Sequence, residues 1–100
     1  MSATIGFVIP GSHPALAGHF PDLPVVPGSL ILEHIIDAWG GRCGTVAFAK
    51  FHAPLGPDQP VEVRFEPAPG EAGAHGGVAF SCRRGTELIC SGRLQGVGAR

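Results

Sequence analysis

The segment Gly18-His19-Phe20-Pro21-Asp22-Leu23-Pro24-Val25-Val26-Pro27-Gly28-Ser29-Leu30-Ile31-Leu32-Glu33 joins a histidine to a carboxylate through prolines at period three. Histidine and glutamate are the side chains most readily tuned to exchange protons near neutral pH. Set mid-helix among aliphatic residues, Glu33 is expected to be desolvated, which favours its protonated form and keeps a proton available. Asp37 follows one turn on along the same face, and repulsion between the two carboxylates pushes one of them further that way. A neutral His19 could then take a proton while Glu33 delivers one. Gly28 adds a third part: a backbone N–H at a helix N-terminus, where a carbonyl oxygen would be polarised as its α-proton left. The same spacing also fits plain structure, with His19 capping a turn, Gly28 capping the helix and Glu33 facing solvent.

The flanking elements must position these groups. Residues 3–9 are short, β-branched and apolar, closed by Pro10-Gly11, and predict a strand. Pro14, Pro21, Pro24 and Pro27 keep residues 11–27 out of regular structure, because each removes a donor and fixes φ. A helix is predicted from about Ser29 to Trp39, with Gly28 or Ser29 as N-cap and Gly40-Gly41 as its end. Apart from Glu33, His34 and Asp37 it is apolar nearly all round, so other structure should wrap it.

Downstream the period becomes two. Val46-Phe48-Lys50 alternate with Ala47-Ala49-Phe51, Val61-Val63-Phe65 with Glu62-Arg64, and Val78-Phe80-Cys82 and Leu88-Cys90 repeat the pattern. The breaks at Pro54 to Pro60, Pro67 to Gly77 and Arg84 to Thr86 read as hairpin turns. Matching apolar faces in the last hairpin predicts a three-residue loop, with Cys82 opposite Leu88 and Phe80 opposite Cys90. The two cysteines would then be diagonal neighbours about 7–8 Å apart, outside usual disulfide reach. The predicted fold class is α+β: a single domain, 1–100, in which a long central helix is wrapped by a curved antiparallel sheet of about five strands.

Composition narrows the function. Hydrophobic residues make up 44% of the 100 and charged residues 15%, the latter well under the roughly 25% usual for soluble domains. The surface should therefore carry apolar area that a second subunit covers. A net charge of −1 offers no footprint for nucleic acid. No apolar run is long enough to span a bilayer and no leader pattern opens the chain, so no membrane partner and a cytoplasmic location are expected. Cys43, Cys82 and Cys90 lack metal or disulfide spacing and read as small buried hydrophobes. His13, His34, His52 and His75 share no ligand spacing. Gly70 to Gly77 reads as a flexible hairpin rather than a phosphate loop. Arg83 and Arg84 read as a solvated turn in preference to a dock for an acidic partner.

The first segment resembles the signature of the β-hydroxyacyl-acyl carrier protein dehydratases of the hotdog fold (FabZ/FabA-like), here in a short form. Their pattern G-H-F-P-x-x-P-x-x-P-G precedes an apolar helix bearing Glu or Asp, and the step of fourteen from His19 to Glu33 is kept. Lys50-Phe51-His52-Ala53-Pro54-Leu55-Gly56-Pro57-Asp58-Gln59 is similar to the family's K-F-x-x-P-x-x-P-x-D-Q-like turn.

The resemblance implies dehydration of (3R)-hydroxyacyl-acyl carrier protein thioesters to trans-2-enoyl thioesters, in fatty-acid or polyketide-like (aryl-polyene) biosynthesis. His19 and Glu33 would be catalytic, with Gly28, Phe20 and Pro27 binding substrate and Gly28 N–H holding the thioester carbonyl. It implies no metal or redox cofactor. The implied partners are an acyl carrier protein bearing a phosphopantetheine-linked acyl chain, and a second subunit in a homodimer, higher oligomer or heterodimer with another hotdog subunit. In the family, the histidine and acid of one site come from different protomers. Asp37 and Asp22 stand where the family often has glutamine and glycine. The stretches before His19 and between Gly40 and Gly44 are shorter than the family's. A hotdog acyl thioesterase and a non-catalytic hotdog subunit that binds acyl thioesters are the alternatives.

Overall fold

In chain order the elements are β1 (Ala3–Phe7), α1 (Gly28–Ala38), β2 (Cys43–Phe51), β3 (Val61–Pro67), β4 (Val78–Arg84) and β5 (Glu87–Gly96). The computed structural model describes residues 3–12, 25–40, 43–70 and 76–96. The five strands form one antiparallel sheet in the order β1-β3-β4-β5-β2. In β3, Val61, Val63 and Phe65 are buried while Glu62, Arg64 and Glu66 are exposed, the period of two that one covered face demands. Those three buried residues share one core with Phe80 and Leu94 of the sheet and Leu30, Ile31 and Ile35 of the helix. No helix of the described residues is long and apolar enough to cross a membrane.

The helix starts one residue earlier than the sequence suggests, and its N-cap is Pro27 rather than Gly28 or Ser29, with no side-chain capping bond. Pro27 instead offers its carbonyl, which accepts from the N–H groups of Leu30 (3.0 Å) and Ile31 (3.2 Å). Proline suits this position because its φ is preset and it has no N–H to leave unsatisfied. The helix ends as expected, with the Gly40 N–H on Asp37 O at 3.0 Å and Gly40 at φ 97°.

Strand order corrects the reading of Pro54 to Pro60 as a hairpin turn. β2 lies at one edge of the sheet and β3 is second from the other. The connection therefore passes the ends of β5 and β4, a distance of three strand spacings, about 15 Å. The nine residues 52–60 reach that far easily. Alternating hydrophobicity shows that two segments are strands, but not that they are neighbours. By contrast β3–β4 and β4–β5 are hairpins.

The β4–β5 register corrects the predicted cysteine geometry. Arg84 pairs with Glu87 across a two-residue turn, and Cys82 lies directly opposite Cys90. A bulge accounts for the difference: between the pairs Cys82–Cys90 and Arg83–Leu88, Ile89 has no partner on β4. The odd residue assigned to the turn is absorbed one step later, within the strand. Both thiols are free and buried, as expected of small hydrophobes. The side chain of Cys43 lies outside the described residues.

Burial, with Cys90 adding to it, pushes the Cys82 thiol up to about 12, and burial pushes Cys90 up to about 11. Both groups thus hold their protons more tightly in the fold than in the unfolded chain. Their contribution to stability should be intact below about pH 9 and fall as pH rises toward 11–12. Urea titrations from pH 8 to 11 should show the midpoint falling in wild type and falling less in Cys82→Ala/Cys90→Ala.

β2 departs from simple alternation. A register shift between Val46 and Phe48 inserts Ala47, so Val46 and Ala49 pack on the core while Phe48 and Phe51 stay 44% and 48% exposed. Lys50 Nζ and Arg93 Cζ sit 5.9 and 5.7 Å from the centre of the Phe48 ring. An edge strand carrying two exposed phenylalanines is a surface suited to a further strand.

Candidate active site

The crossover between β2 and β3 builds the site. Leu55 anchors it in the core, and its carbonyl accepts from Val26 N–H at 2.8 Å, just ahead of the helix. Asp58 N–H donates to Ile9 O at 2.8 Å, and Asp58 Oδ1 accepts from Gly11 N–H at 3.0 Å. Asp58 holds φ 64°, a left-handed conformation that aspartate tolerates better than most residues. Gln59 Oε1 accepts from Gly56 N–H (2.9 Å) and from Arg84 Nη1 (2.8 Å). Arg84 also donates to Pro54 O at 3.1 Å and pairs with Glu87. It is a clamp on the crossover rather than a solvated turn residue, whereas exposed Arg83 donates within its own turn, to Thr86 O.

These ties hold the crossover against the helix N-terminus and leave a groove of about 420 Å³, with Val26, Gly28, Ile31, Phe51, His52 and Leu55 among its walls. The first-turn amides of Gly28 and Ser29 have no helical carbonyl to bond, as at any helix start. Gly28 thus brings the positive end of the helix to an apolar groove. A Cβ at Gly28 would lie 2.8–3.2 Å from three carbons of the Phe51 ring. Glycine is needed here so that the aromatic wall can close on the helix. In Gly28→Ala the ring must swing out, at a cost of about 1–2 kcal/mol. Thermal unfolding should show most of that cost vanish in a Phe51→Ala background.

His19 and Phe20 lie outside the described residues, as do His13, Asp22 and His75. Pro27 and Gly28 are together at the mouth of the helix, but Glu33 is not brought to the groove. Ser29, Glu33 and Asp37, four residues apart, form an exposed stripe, while Leu30, Ile31 and Ile35 on other faces are buried. The expectation that this chain's aliphatics desolvate Glu33 is thus corrected. The side chain points off the core because the helix packs on one side of the sheet and nothing in the described residues covers its opposite side. The alignment of Asp37 with Glu33 is as expected.

His34 belongs to packing: Nδ1 lies 3.0 Å from Leu30 O and its ring stacks on Phe7 at 5.3 Å. His52 has no ligand spacing to single it out in the sequence, yet it lines the groove with Nε2 2.8 Å from Ser91 Oγ. The available signal is its place in the Lys50–Gln59 block, directly after the phenylalanine that closes on Gly28.

The family model for ApeI-like proteins, described as ApeI dehydratase, matches residues 1–93. A 3-hydroxyacyl-[acyl-carrier-protein] dehydratase FabZ of Vibrio atlanticus is 49% identical over 45 residues, covering 45% of this chain and 27% of that protein. The FabZ of Neisseria meningitidis is 53% identical over 36 residues, covering 36% and 22%. The chain thus spans about a quarter of the length of the curated relatives it matches.

Among solved structures, the dehydratase heterocomplex ApeI:P from Xenorhabdus doucetiae matches with a TM-score of 0.74 and 17% identity, covering 94% of this chain and 85% of that one. A mutant of the fluoroacetyl-CoA-specific thioesterase FlK, in complex with fluoroacetate and CoA, matches with a TM-score of 0.65 and 19% identity, covering 94% and 88%. Both share the helix-on-curved-sheet fold across chemistries, so fold alone does not choose between them. The family model settles membership: the chain belongs to the ApeI-like dehydratase family of the hotdog fold.

Proposed function

We propose that the protein dehydrates (3R)-hydroxyacyl thioesters carried on an acyl carrier protein, in the cytoplasm, as a dimer whose two copies share each site. The carrying observation is Gly28: it lines an apolar groove at the N-terminus of the helix that also bears Glu33. In this reading His19 takes the proton from C2, and charge flows to the thioester oxygen, held by Gly28 N–H. The C2=C3 double bond then forms as the C3–O bond breaks, and Glu33 supplies the proton with which the hydroxyl leaves as water. Phe20 and Pro27 would flank the acyl thioester, and no step calls for a metal or redox cofactor.

Exposure of Glu33 supports the dimer, because a general acid in a dry site needs a cover that the described part of this chain does not supply. The exposed Phe48 and Phe51 on edge strand β2 support pairing of β2 with β2 of a second copy, which would extend the sheet across a two-fold axis. Fatty-acid or polyketide-like (aryl-polyene) biosynthesis is the pathway class we assign, on the resemblance of the His19–Glu33 segment to the β-hydroxyacyl-acyl carrier protein dehydratases.

Hydration of a crotonyl thioester tests the reaction in reverse, read as loss of enoyl absorbance. Release of free thiol instead would support the thioesterase reading, which the FlK fold match makes the natural competitor. A silent protein awakened by a second hotdog chain would support a heterocomplex, as the ApeI:P neighbour is described.

A further inference from the structure

We propose that His52 is a substrate-binding residue that hydrogen-bonds the pantetheine amide nearest the thioester sulfur, and that Ser91 positions it. The inference rests on the thioester-site reading above and names which part of the thiol arm this groove reads. His52 is held at both ends: its backbone N–H donates to Ile89 O at 2.8 Å, and its Nε2 lies 2.8 Å from Ser91 Oγ. Ile89 is the bulge residue of β5, so the imidazole is placed by an irregularity of the sheet. Such double anchoring is what a recognition side chain needs in order to hold one geometry.

The ligand class follows from the groove's chemistry. Its lining side chains are aliphatic or aromatic apart from His52, and no Asp, Glu, Lys or Arg is among them. An apolar groove with one polar group selects a mostly apolar chain carrying one polar function at a set place. A phosphate would call for a cation, which this lining lacks. With Nε2 engaged by Ser91, Nδ1 has no partner among the described residues. It is a donor or an acceptor according to the imidazole tautomer, since the Ser91 hydroxyl pairs with either form of Nε2. A secondary amide, with both N–H and C=O, matches either. In a pantetheine thioester such an amide follows the sulfur after two methylenes, and Gly28 on the same groove would hold the thioester carbonyl.

The test is equilibrium binding by calorimetry of two unreactive ligands. One is the S-butyl thioether of pantetheine; the other replaces its cysteamine amide by an ethylene unit. Wild type should prefer the amide ligand about tenfold, the upper end for one neutral hydrogen bond. In His52→Ala that preference should shrink to under about twofold, and His52→Gln, which keeps a donor and an acceptor, should retain part of it. Ser91→Ala should lower the preference and Ser91→Thr restore it, a rescue that a packing role for Ser91 would not produce.

An amide preference that survives in His52→Ala overturns the proposal, as does a wild type that binds both ligands equally or neither. Because the ligands do not react, the outcome is independent of turnover. Amide preference lost with His52 in a protein that fails to hydrate crotonyl thioesters would uphold this inference and remove the dehydratase reading.

Discussion

His19→Ala and Glu33→Gln should each lower the rate of crotonyl thioester hydration by at least about 100-fold, the lower end of what a positioned acid or base contributes. Glu33→Gln should leave the unfolding midpoint nearly unchanged, since glutamine is close to glutamate in shape, keeps hydrogen-bonding groups and disturbs none of the core that Leu30, Ile31 and Ile35 fill. Mixing the two inactive variants gives the sharper result. If each site takes its histidine from one copy and its acid from the other, a mixed dimer has one intact site and one doubly disabled site. Random exchange makes half of the dimers mixed, so activity should return to about a quarter of wild type. Native mass spectrometry would verify the exchange. Verified mixing with no recovery would place both residues of a site on one chain.

Gly92→Ala should be among the most damaging single substitutions in the sheet. Gly92 sits in β5 opposite Phe80 of β4 and Ala49 of β2. An added Cβ would collide with the Phe48 carbonyl oxygen and come within 2.9 Å of both Ala49 Cα and Phe80 Cζ. Two of those obstacles are backbone and the third is a buried ring, so nothing gives way cheaply. The expected cost is about 3 kcal/mol or more, a large share of the roughly 5–15 kcal/mol that holds a domain together. Gly6→Ala is the control, because its Cβ would meet only Val61 O at an ordinary 3.6 Å. Urea unfolding should show the midpoint collapse for Gly92→Ala and shift little for Gly6→Ala. Equal midpoints would mean that β2 and β5 are not as close as described.

β2 lies against Gly92 next to the same bulge that turns Phe48 outward, so one local irregularity bears on both edge exposure and strand spacing. The tertiary arrangement around it is where residue order is least informative. Alternation along Val61-Val63-Phe65 is strictly local and is legible in the sequence. The bulges at Ala47 and Ile89 each move one residue, which flips every face assignment beyond them. That is why Cys82 and Cys90 are opposite rather than diagonal, and why Phe48 leaves the core.

The candidate site divides in the same way. The spacing from His19 to Glu33, the helix that opens at Pro27-Gly28 and the turn-forming Pro57-Asp58-Gln59 are legible in residue order. Each depends on backbone preferences and periodicities confined to a few residues. Contacts between residues far apart in the chain are not legible there. The crossover to β3, the Arg84 clamp, the Phe51 ring closing on Gly28 and the His52–Ser91 pair at the groove all join segments remote in sequence. Whether Glu33 is buried or exposed belongs with them, because burial depends on what lies across the helix. Residue order thus announced the candidate acid and base and their spacing. Three-dimensional packing assigned the walls of the groove, and placed Glu33 on the exposed stripe of the helix.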